Sequence, residues 1–268
     1  MAGRMRFRQE EFEHLLVERR EDGIAVVTLN RPQRLNAVTT RMHTEIALLP
    51  RVLQADDEVR AAVIVGAGTS FCSGADMGEL EADAMFGEML VEARNLLLDW
   101  VGLDKPVVTA VRGYALGVGA TLALLGDVVL AAPSARFGDT HVSNQGVTAG
   151  DGGALLWPLL AGLQQARYYL LTGELVPAEE AYRLGLVFRV VEDEALLDEA
   201  VAMAERLSAG APMAVRSTKT AINRYLSLIA NEILPYSIAA EVACFKSEDH
   251  LEAMAAFTER RAGRYLGR

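Results

Sequence analysis

The sequence is poor in cysteine and in basic residues. Its two cysteines, Cys72 and Cys244, are too few for a disulfide framework and fit a reducing compartment. The 26 Lys and Arg residues against 36 Asp and Glu residues give a formal charge of −10. That balance argues against nucleic acid, whose phosphates need clustered basic residues, and against an anionic membrane surface. A net negative charge is still compatible with a local basic pocket that binds a small polyanion.

Long apolar runs are also missing. Glycine, aspartate or proline interrupts each apolar stretch before the ~18 residues that a membrane span needs. The charged start, MAGRMRFRQEEFEHLL, has no apolar core of a signal peptide. Yet 51% of the 268 residues are hydrophobic, which excludes a disordered chain and supports one substantial domain. We therefore expect a soluble, cytoplasmic protein with no nucleic-acid or membrane partner.

Short β-branched runs alternate with longer helical patterns in the first two thirds of the chain. Buried strands are predicted over residues 24–29, 61–65, 107–111 and 127–131. One helix is predicted to begin after Thr39 or Thr40 and to kink or end early at Pro50, and another spans 82–101. Strands that alternate with helices in this way predict an α/β fold.

The last third of the chain shows helical patterns only. Helices are predicted over 198–208, 213–229 and 237–261, with a break after Pro235. The final portion begins at Ser247, ends at Arg260 and Arg261, and has Gly263 just beyond as a helix stop. We predict a boundary between an α/β core, residues 1–197, and a C-terminal helical region, residues 198–268.

Two glycine-bearing segments, 66–77 and 112–121, each run from a predicted strand towards a helix. Small residues let a ligand approach the main chain, and N–H groups at such a turn can point at developing negative charge. Taken alone, each segment is equally explained by tight packing. Neither contains the Gly-Lys-Ser/Thr of a phosphate-binding loop nor the GxGxxG spacing of a dinucleotide site.

Several motifs in order resemble the crotonase (enoyl-CoA hydratase/isomerase) superfamily over residues 14–262. They are Asn30-Arg31-Pro32 with Leu35-Asn36-Ala37, Ser70-Phe71-Cys72-Ser73-Gly74-Ala75-Asp76, Gly113-Tyr114-Ala115-Leu116-Gly117, and Leu171-Thr172-Gly173 with Ala178, Glu180-Ala181 and Gly185-Leu186-Val187. The resemblance implies an α/β fold built as a spiral of ββα units, with a C-terminal helical trimerisation region. It also implies a homotrimer or a dimer of trimers, and an acyl-CoA substrate that brings coenzyme A with it and needs no separate cofactor.

The resemblance also assigns residues to the site. The backbone N–H groups of Ala75 and Val118 would form an oxyanion hole for the thioester enolate. Relatives usually have glycine where this chain has Val118, and valine suits the position only if it opens a helix with a negative φ.

Coenzyme A contacts follow from the same resemblance. Leu35, Ala37, Asp76 and Met77 would line its path, while Phe257 and Arg260 would reach the coenzyme A of a neighbouring subunit, with Arg260 on a phosphate. A core phenylalanine and a helix-capping arginine are the alternative interpretation of the last two.

Hydratases of this superfamily use two glutamates, one to activate water and one to deliver a proton to carbon. At the matching positions this chain has Thr121 and His141. His141 is a candidate base and Asp151 its candidate partner, a pair that resembles the His/Asp dyad of crotonase-fold β-diketone hydrolases. The segment 141–146 is one residue longer than the resemblance leads us to expect. His141 could equally be a loop histidine bonded to the backbone, and His43, near another histidine of those hydrolases, is interpreted as structural or exposed.

Other polar residues have simpler explanations. Cys72 lies close to the predicted oxyanion donor but is interpreted as a small buried residue. Glu79, Glu81 and Asp83 suit a solvated helix start, and one of them is an alternative acid. Asp127 is interpreted as structural. His43, His141, Asp151 and the two cysteines lack metal-ligand spacing, so no metal site is predicted.

Three functions remain open from the sequence. The leading one is an acyl-CoA enzyme that stabilises an enolate, of the enoyl-CoA hydratase or isomerase type, with His141 and Asp151 as acid and base. The second is a β-diketone hydrolase that uses the same pair without coenzyme A. The third is a non-catalytic acyl-CoA-binding protein that has lost its glutamates.

Overall fold

A six-stranded sheet forms the centre of the molecule. The computed structural model describes residue Gln9, residues 12–76, Gly78 and residues 88–268, with residues 88–91 described by their backbone alone. In the order of the sheet, the strands are β1 (Leu15–Arg19), β2 (Ile24–Leu29), β3 (Ala61–Gly66), β4 (Val107–Val111), β6 (Val128–Ala131) and β9 (Arg189–Val190). Strand β1 is antiparallel to β2, and every other pair is parallel.

A second, small sheet lies at the carboxyl ends of the central strands. It contains β5 (Tyr114–Leu116), β7 (Arg136–Gly138) and β8 (Val176–Pro177) in that order. The four strands predicted from the sequence are confirmed within one residue at either end. Strands β5, β7, β8 and β9 have only two or three residues, too few to show a periodic pattern.

Helices cover both faces of the large sheet, so the predicted α/β fold is confirmed. The described helices are α1 (Thr40–Ala55), α2 (Glu88–Gly102), α3 (Val118–Leu124), α4 (Gly153–Ala161), α5 (Leu163–Thr172), α6 (Ala178–Leu184), α7 (Leu196–Ser208), α8 (Pro212–Phe245) and α9 (Glu248–Glu259). Alternate side chains of β2, β3 and β4 pack on α7 at one face and on the larger core at the other. Burial on both faces explains why these strands read as continuous apolar runs.

Helix α1 does not end at Pro50, contrary to the sequence prediction. Thr39 caps its start by accepting a hydrogen bond from the Met42 amide at 3.1 Å, and the helix continues to Ala55. Proline has no N–H to bond the carbonyl four residues earlier. Here the indole Nε1 of Trp100 in α2 donates to that carbonyl, Ile46 O, at 3.2 Å. The tertiary contact replaces the hydrogen bond that Pro50 cannot make.

The predicted break after Pro235 is also wrong. Helix α8 continues through it for 34 residues in all, and Leu234 and Ser237 on either side are buried. The predicted start of the final helical portion at Ser247 is confirmed, and the Ser247 side chain caps α9 by accepting a hydrogen bond from the His250 amide. Helix α9 ends earlier than predicted, because Arg260 adopts the left-handed conformation expected of Gly263.

Polar contacts fix α8 against the α/β core. Lys219 is buried and donates to Asp127 Oδ2 and to Lys105 O, each at 2.7 Å, which gives Asp127 the structural role predicted for it. The Arg216 guanidinium donates twice to Asp104 at 2.8 Å. By length and composition alone α8 also meets the requirement for a membrane span, yet it packs on α2, α4, α7 and α9 of its own chain.

The predicted boundary between residues 197 and 198 falls within α7. That helix packs on β2, β3, β4 and β6, while α8 and α9 pack on other helices and on the turn that follows β7. The division into a core and a C-terminal region stays a prediction.

We expect Asp127→Asn to lower the free energy of unfolding by about 1–3 kcal/mol, because the buried Lys219 ammonium loses its charged acceptor. Urea unfolding at a fixed protein concentration measures this change. The control is Asp57→Asn, an exposed aspartate, for which the change should stay within about 0.5 kcal/mol. Equal stabilities for the two variants would contradict the prediction.

Candidate active site

The side chain of Asn36 connects the segment after β2 to the loop after β3. Asn36 Oδ1 accepts from the Arg31 amide at 2.8 Å, and its Nδ2 donates to Ala67 O and Ser70 O. Leu35 and Asn36 both have positive φ, a rare conformation for residues with side chains. The exposed Leu35 side chain and the buried Ala37 therefore lie beside the segment 73–76, with which residues 35 and 38 exchange backbone hydrogen bonds.

Asp76 forms a buried ion pair at the same place. Its carboxylate lies 3.0 Å from Arg31 Nη1 and 3.4 Å from Arg34 Nη2. Burial alone would raise the pKa of Asp76, but hydrogen bonds from Arg31, the Gly78 amide and Arg34 lower it. The carboxylate is thus bound within the protein, and the coenzyme A contact predicted for this residue stays a prediction. Met77 lies outside the described residues.

The two predicted oxyanion segments lie side by side. The Cys72 amide donates to Tyr114 O at 2.8 Å, and the Leu116 amide donates back to Cys72 O at 3.0 Å. Among the described residues, the amides of Ala75 and Val118 have no hydrogen-bond acceptor. Helix α3 begins at Val118, whose φ is not positive, so the condition set for valine at this position is confirmed.

Gly117 makes the turn into α3 possible. Its φ of 51° and ψ of −122° suit glycine, and a Cβ there would lie 3.3 Å from Cε1 of His141. The imidazole of His141 therefore lies against the residue that precedes the Val118 amide. The structure brings the predicted base and one predicted oxyanion donor to the same place.

His141 is held by Asp139, a residue that the sequence analysis did not single out. Its Nδ1 lies 2.6 Å from Asp139 Oδ1, and both side chains are buried. Asp139 directly follows β7, and His141 begins the next turn, so residues two apart face each other. Asp139 therefore orients the ring, in place of Asp151, the partner expected from the sequence. An aspartate two residues before a candidate histidine was the available signal.

Two more carboxylates face the other nitrogen of the imidazole. Asp151 Oδ2, from the turn before α4, lies 3.7 Å from His141 Nε2. Glu241 Oε1, from α8, lies 3.9 Å from the same nitrogen. The structure thus brings Asp151 to His141, as expected, but beyond hydrogen-bond distance. Glu241 was missed because 100 residues of sequence separate it from His141.

The segment 141–146, expected from the resemblance to be one residue longer than in relatives, folds as a local turn. Residues His141–Gln145 form a single π-helical turn, closed by Gly146 in the left-handed conformation. A π-helical turn closes hydrogen bonds over five residues rather than four. The turn thus has room for one more residue while His141 still faces Asp151.

The buried charges shift one another's pKa values. Burial alone would lower the pKa of His141, but the charges of Asp139 and Asp151 and the hydrogen bond to Asp139 raise it well above its ordinary value. Burial and the charge of Asp139 raise the pKa of Asp151. Burial, with the charges of Asp151 and Asp139, raises the pKa of Glu241 to about 8. These shifts favour the protonated imidazole of His141 and the protonated carboxyl of Glu241.

Some carboxylate oxygens of this cluster have no partner. Asp139 Oδ2 and Asp151 Oδ1 are buried and lack a hydrogen-bond partner among the described residues. Buried polar atoms in native proteins are normally bonded, and exceptions point to an unseen water, ion or catalytic role. Asp151 Oδ1 is therefore available to a bound molecule.

Asp139, His141 and Asp151 also group as potential metal ligands, which the sequence analysis did not predict. One ligand atom from each lies within 4.8 Å of the others. However, the 2.6 Å between Asp139 Oδ1 and His141 Nδ1 is a hydrogen-bond distance. Two ligands of one tetrahedral ion at ~2 Å would lie about 3.3 Å apart. The arrangement fits an imidazole oriented by a carboxylate better than an ion shared by the two.

The remaining candidates are structural or distant. His43 is buried, with its Nδ1 2.9 Å from Glu92 Oε2 in α2, as its structural interpretation predicted. Cys72 is fully buried, and burial raises the pKa of its thiol to about 12, which excludes a ready nucleophile. Thr121 is buried in α3. Glu79, Glu81 and Asp83 lie outside the described residues.

Phe257 and Arg260 lie at the end of α9. Phe257 is exposed, and Arg260 caps the helix with its own amide rather than with its side chain. Helix α9 packs on α8 and on the turn 141–145 of the same chain. Their contact with a neighbouring subunit stays a prediction.

Known proteins are similar to this chain in both sequence and fold. The sequence model of the family "Enoyl-CoA hydratase/isomerase" matches residues 19–268. A short-chain-enoyl-CoA hydratase of Clostridium acetobutylicum is 36% identical over 94% of this chain and 97% of its own length. The 1,2-epoxyphenylacetyl-CoA isomerase of Escherichia coli is 34% identical over 92% of this chain and 97% of its own length. A solved enoyl-CoA hydratase/isomerase from Mycobacterium paratuberculosis has a TM-score of 0.84 at 34% identity, over 90% of this chain and 97% of that one.

The parallel-rich sheet covered by helices, with its two adjoining glycine turns, defines a protein of the crotonase fold. Within that superfamily the chain belongs to the enoyl-CoA hydratase/isomerase family, and it is an enzyme of that family.

We expect Asp139→Asn to lower the pKa of His141, because the variant removes the negative charge that lies against Nδ1. An NMR titration of the imidazole resonances measures the pKa. The control is Asp57→Asn, an exposed aspartate outside the cluster, which should leave the pKa of His141 as in the wild type. A His141 pKa equal to that of the wild type would contradict the assignment of Asp139 as the orienting residue.

Proposed function

We propose that this enzyme binds an acyl-CoA thioester, stabilises its enolate and transfers protons at its α carbon, in the hydration or isomerisation of an enoyl-CoA. The observation that carries the proposal is the His141 imidazole, oriented by Asp139, against the turn that presents the free Val118 amide. Family membership supports the acyl-CoA substrate.

The proposed oxyanion hole consists of the Ala75 and Val118 amides. An enolate places negative charge on one oxygen, and loss of one such donor in comparable sites costs about 3–4 kcal/mol of transition-state stabilisation. Both amides lack an acceptor among the described residues, as a vacant hole requires. The Val118 amide also lies at the start of α3, where N–H groups point out of the helix.

His141 and Asp151 are the proposed acid and base. A charged imidazolium beside a carboxylate lets the pair release one proton from Nε2 and accept another on Asp151. The hydroxyl of Thr121 cannot act as a base near neutral pH. The two-glutamate mechanism expected of hydratases is therefore unavailable to this chain at those two positions.

We also propose a cytoplasmic homotrimer or dimer of trimers in which Leu35 and Ala37 line the coenzyme A path, and Phe257 and Arg260 reach coenzyme A from a neighbouring subunit. Apolar side chains left exposed on one chain support this assembly. On α8 they include Met213, Ile222, Tyr225, Leu228 and Tyr236. An apolar surface of this kind usually marks a protein interface.

We expect His141→Ala to lower turnover of a 2-enoyl-CoA panel at least about 10²-fold, because the acid/base pair loses its imidazole. Affinity for coenzyme A, measured by calorimetry, should stay within a few-fold of the wild type. His14→Ala is the control, since His14 lies in the segment before β1 and outside the cluster.

Unchanged turnover in His141→Ala would overturn the assignment. Cleavage of a β-diketone by a wild-type protein that does not bind coenzyme A would favour the hydrolase alternative. Tight thioester binding by a wild-type protein with no turnover of any substrate in the panel would favour a non-catalytic binder.

We expect Val118→Pro to lower kcat about 10²–10³-fold, because proline removes the donated N–H. Proline is tolerated at the first position of a helix, so α3 should still form. Val118→Ala keeps the amide and should retain turnover within a few-fold. Thermal unfolding checks that both variants fold, and comparable turnover in the two would contradict the role of this amide.

A further inference from the structure

Glu241 is a buried acid that the proposed mechanism leaves unused. It lies in α8, more than ninety per cent buried, with Oε1 3.9 Å from His141 Nε2. A surface role is excluded by this burial. The Glu241 side chain also packs tightly against the main chain of Gly150, where any Cβ would collide with Glu241 Oε2. One helical turn earlier, Ser237 Oγ donates to Gly150 O at 3.1 Å and fixes α8 on this turn.

Asp151 and Glu241 face the same nitrogen. Both lie within 4 Å of His141 Nε2, at 3.7 and 3.9 Å, while Nδ1 is taken by Asp139. Two carboxylates this close in a buried site repel each other, so one of them keeps a proton. Glu241 is the carboxyl that keeps the proton, because burial and the neighbouring carboxylates raise its pKa to about 8.

We propose that Glu241 is the proton donor in hydration, and that it supplies from the C-terminal helix the second acid/base group that the chain lacks at Thr121. The inference rests on the proposed function of the site. It concerns a residue that belongs to neither expected glutamate position and that reaches the site only through the packing of α8.

The proton balance of the step closes within these side chains. Asp151 takes a proton from water as the hydroxide forms a bond to the β carbon, and Glu241 gives its proton to the α carbon. The imidazolium then returns its Nε2 proton to Glu241, and protonated Asp151 restores the imidazolium. The atoms that these two transfers join lie 3.7 and 3.9 Å apart, and no further reactant is needed.

Two reactions report on Glu241. Hydration of a 2-enoyl-CoA needs Asp151 and Glu241, whereas exchange of the α protons of a saturated acyl-CoA in D2O needs the enolate site and Glu241, the group at the α carbon. We expect Glu241→Gln to lower both kcat for hydration and the rate of exchange at least about 10²-fold, with a KM within a few-fold of the wild type. Glu241→Asp should recover part of the hydration.

Glu232→Gln is the matched control, because Glu232 lies on the same helix and is exposed. Hydration by Glu241→Gln within about threefold of the wild type would overturn the role of Glu241 alone. Exchange retained at the wild-type rate would overturn it too, because the group that protonates the α carbon must also deprotonate it. A KM raised in parallel with the loss of hydration would show a structural residue and likewise overturn it. A wild type that neither exchanges α protons nor hydrates any enoyl-CoA would overturn the proposed function, and the inference with it.

The pH dependence gives an independent readout. The titratable groups that face Glu241 are Asp139, His141 and Asp151. A proton donor must be protonated, so the hydration rate of the wild type should fall as the pH rises through about 8, the pKa of Glu241. Exchange should not follow this decline. A hydration rate that stays flat through this range would contradict the assignment.

Discussion

One charged imidazole allows three carboxylates to share a buried site. Asp139, Asp151 and Glu241 all lie within 4 Å of a ring nitrogen of His141. Without the imidazolium, each ionised carboxylate would be buried beside like charges, which is costly in a medium of low dielectric constant. With it, the cluster retains protons near neutral pH. The turn after β7, the turn before α4 and helix α8 each contribute one carboxylate to this cluster.

The proposed site has two parts, one made of backbone amides and one made of acid/base side chains. The enolate would be held by amides, which valine at position 118 supplies as well as glycine once it opens a helix. The proposed acid/base groups are side chains, and of the two glutamate positions of the superfamily only the one occupied by His141 contributes such a group here. A scaffold that binds thioesters through its main chain can thus accept a different set of acids without losing its ligand.

Predictions from the sequence succeeded where local pattern and local structure coincide, and failed where a distant contact decided. Strands β2, β3, β4 and β6 are buried on both faces and show it in their composition. Helix α1 continues through Pro50 because Trp100 donates to the carbonyl that proline leaves unpaired, and no local signal shows that donor. Asp139 was missed although it lies two residues from His141, because a pairing across a tight turn has no periodicity.

By itself the sequence determined the α/β class, the two glycine turns, the family and the absence of both expected glutamates, because each of these is written in short contiguous stretches. Only the tertiary structure decided which groups surround His141. Glu241 comes 100 positions after it in the chain, and burial and mutual charge set its proton affinity. Such properties belong to the environment that folding creates, since a carboxylate in an unfolded chain meets only water.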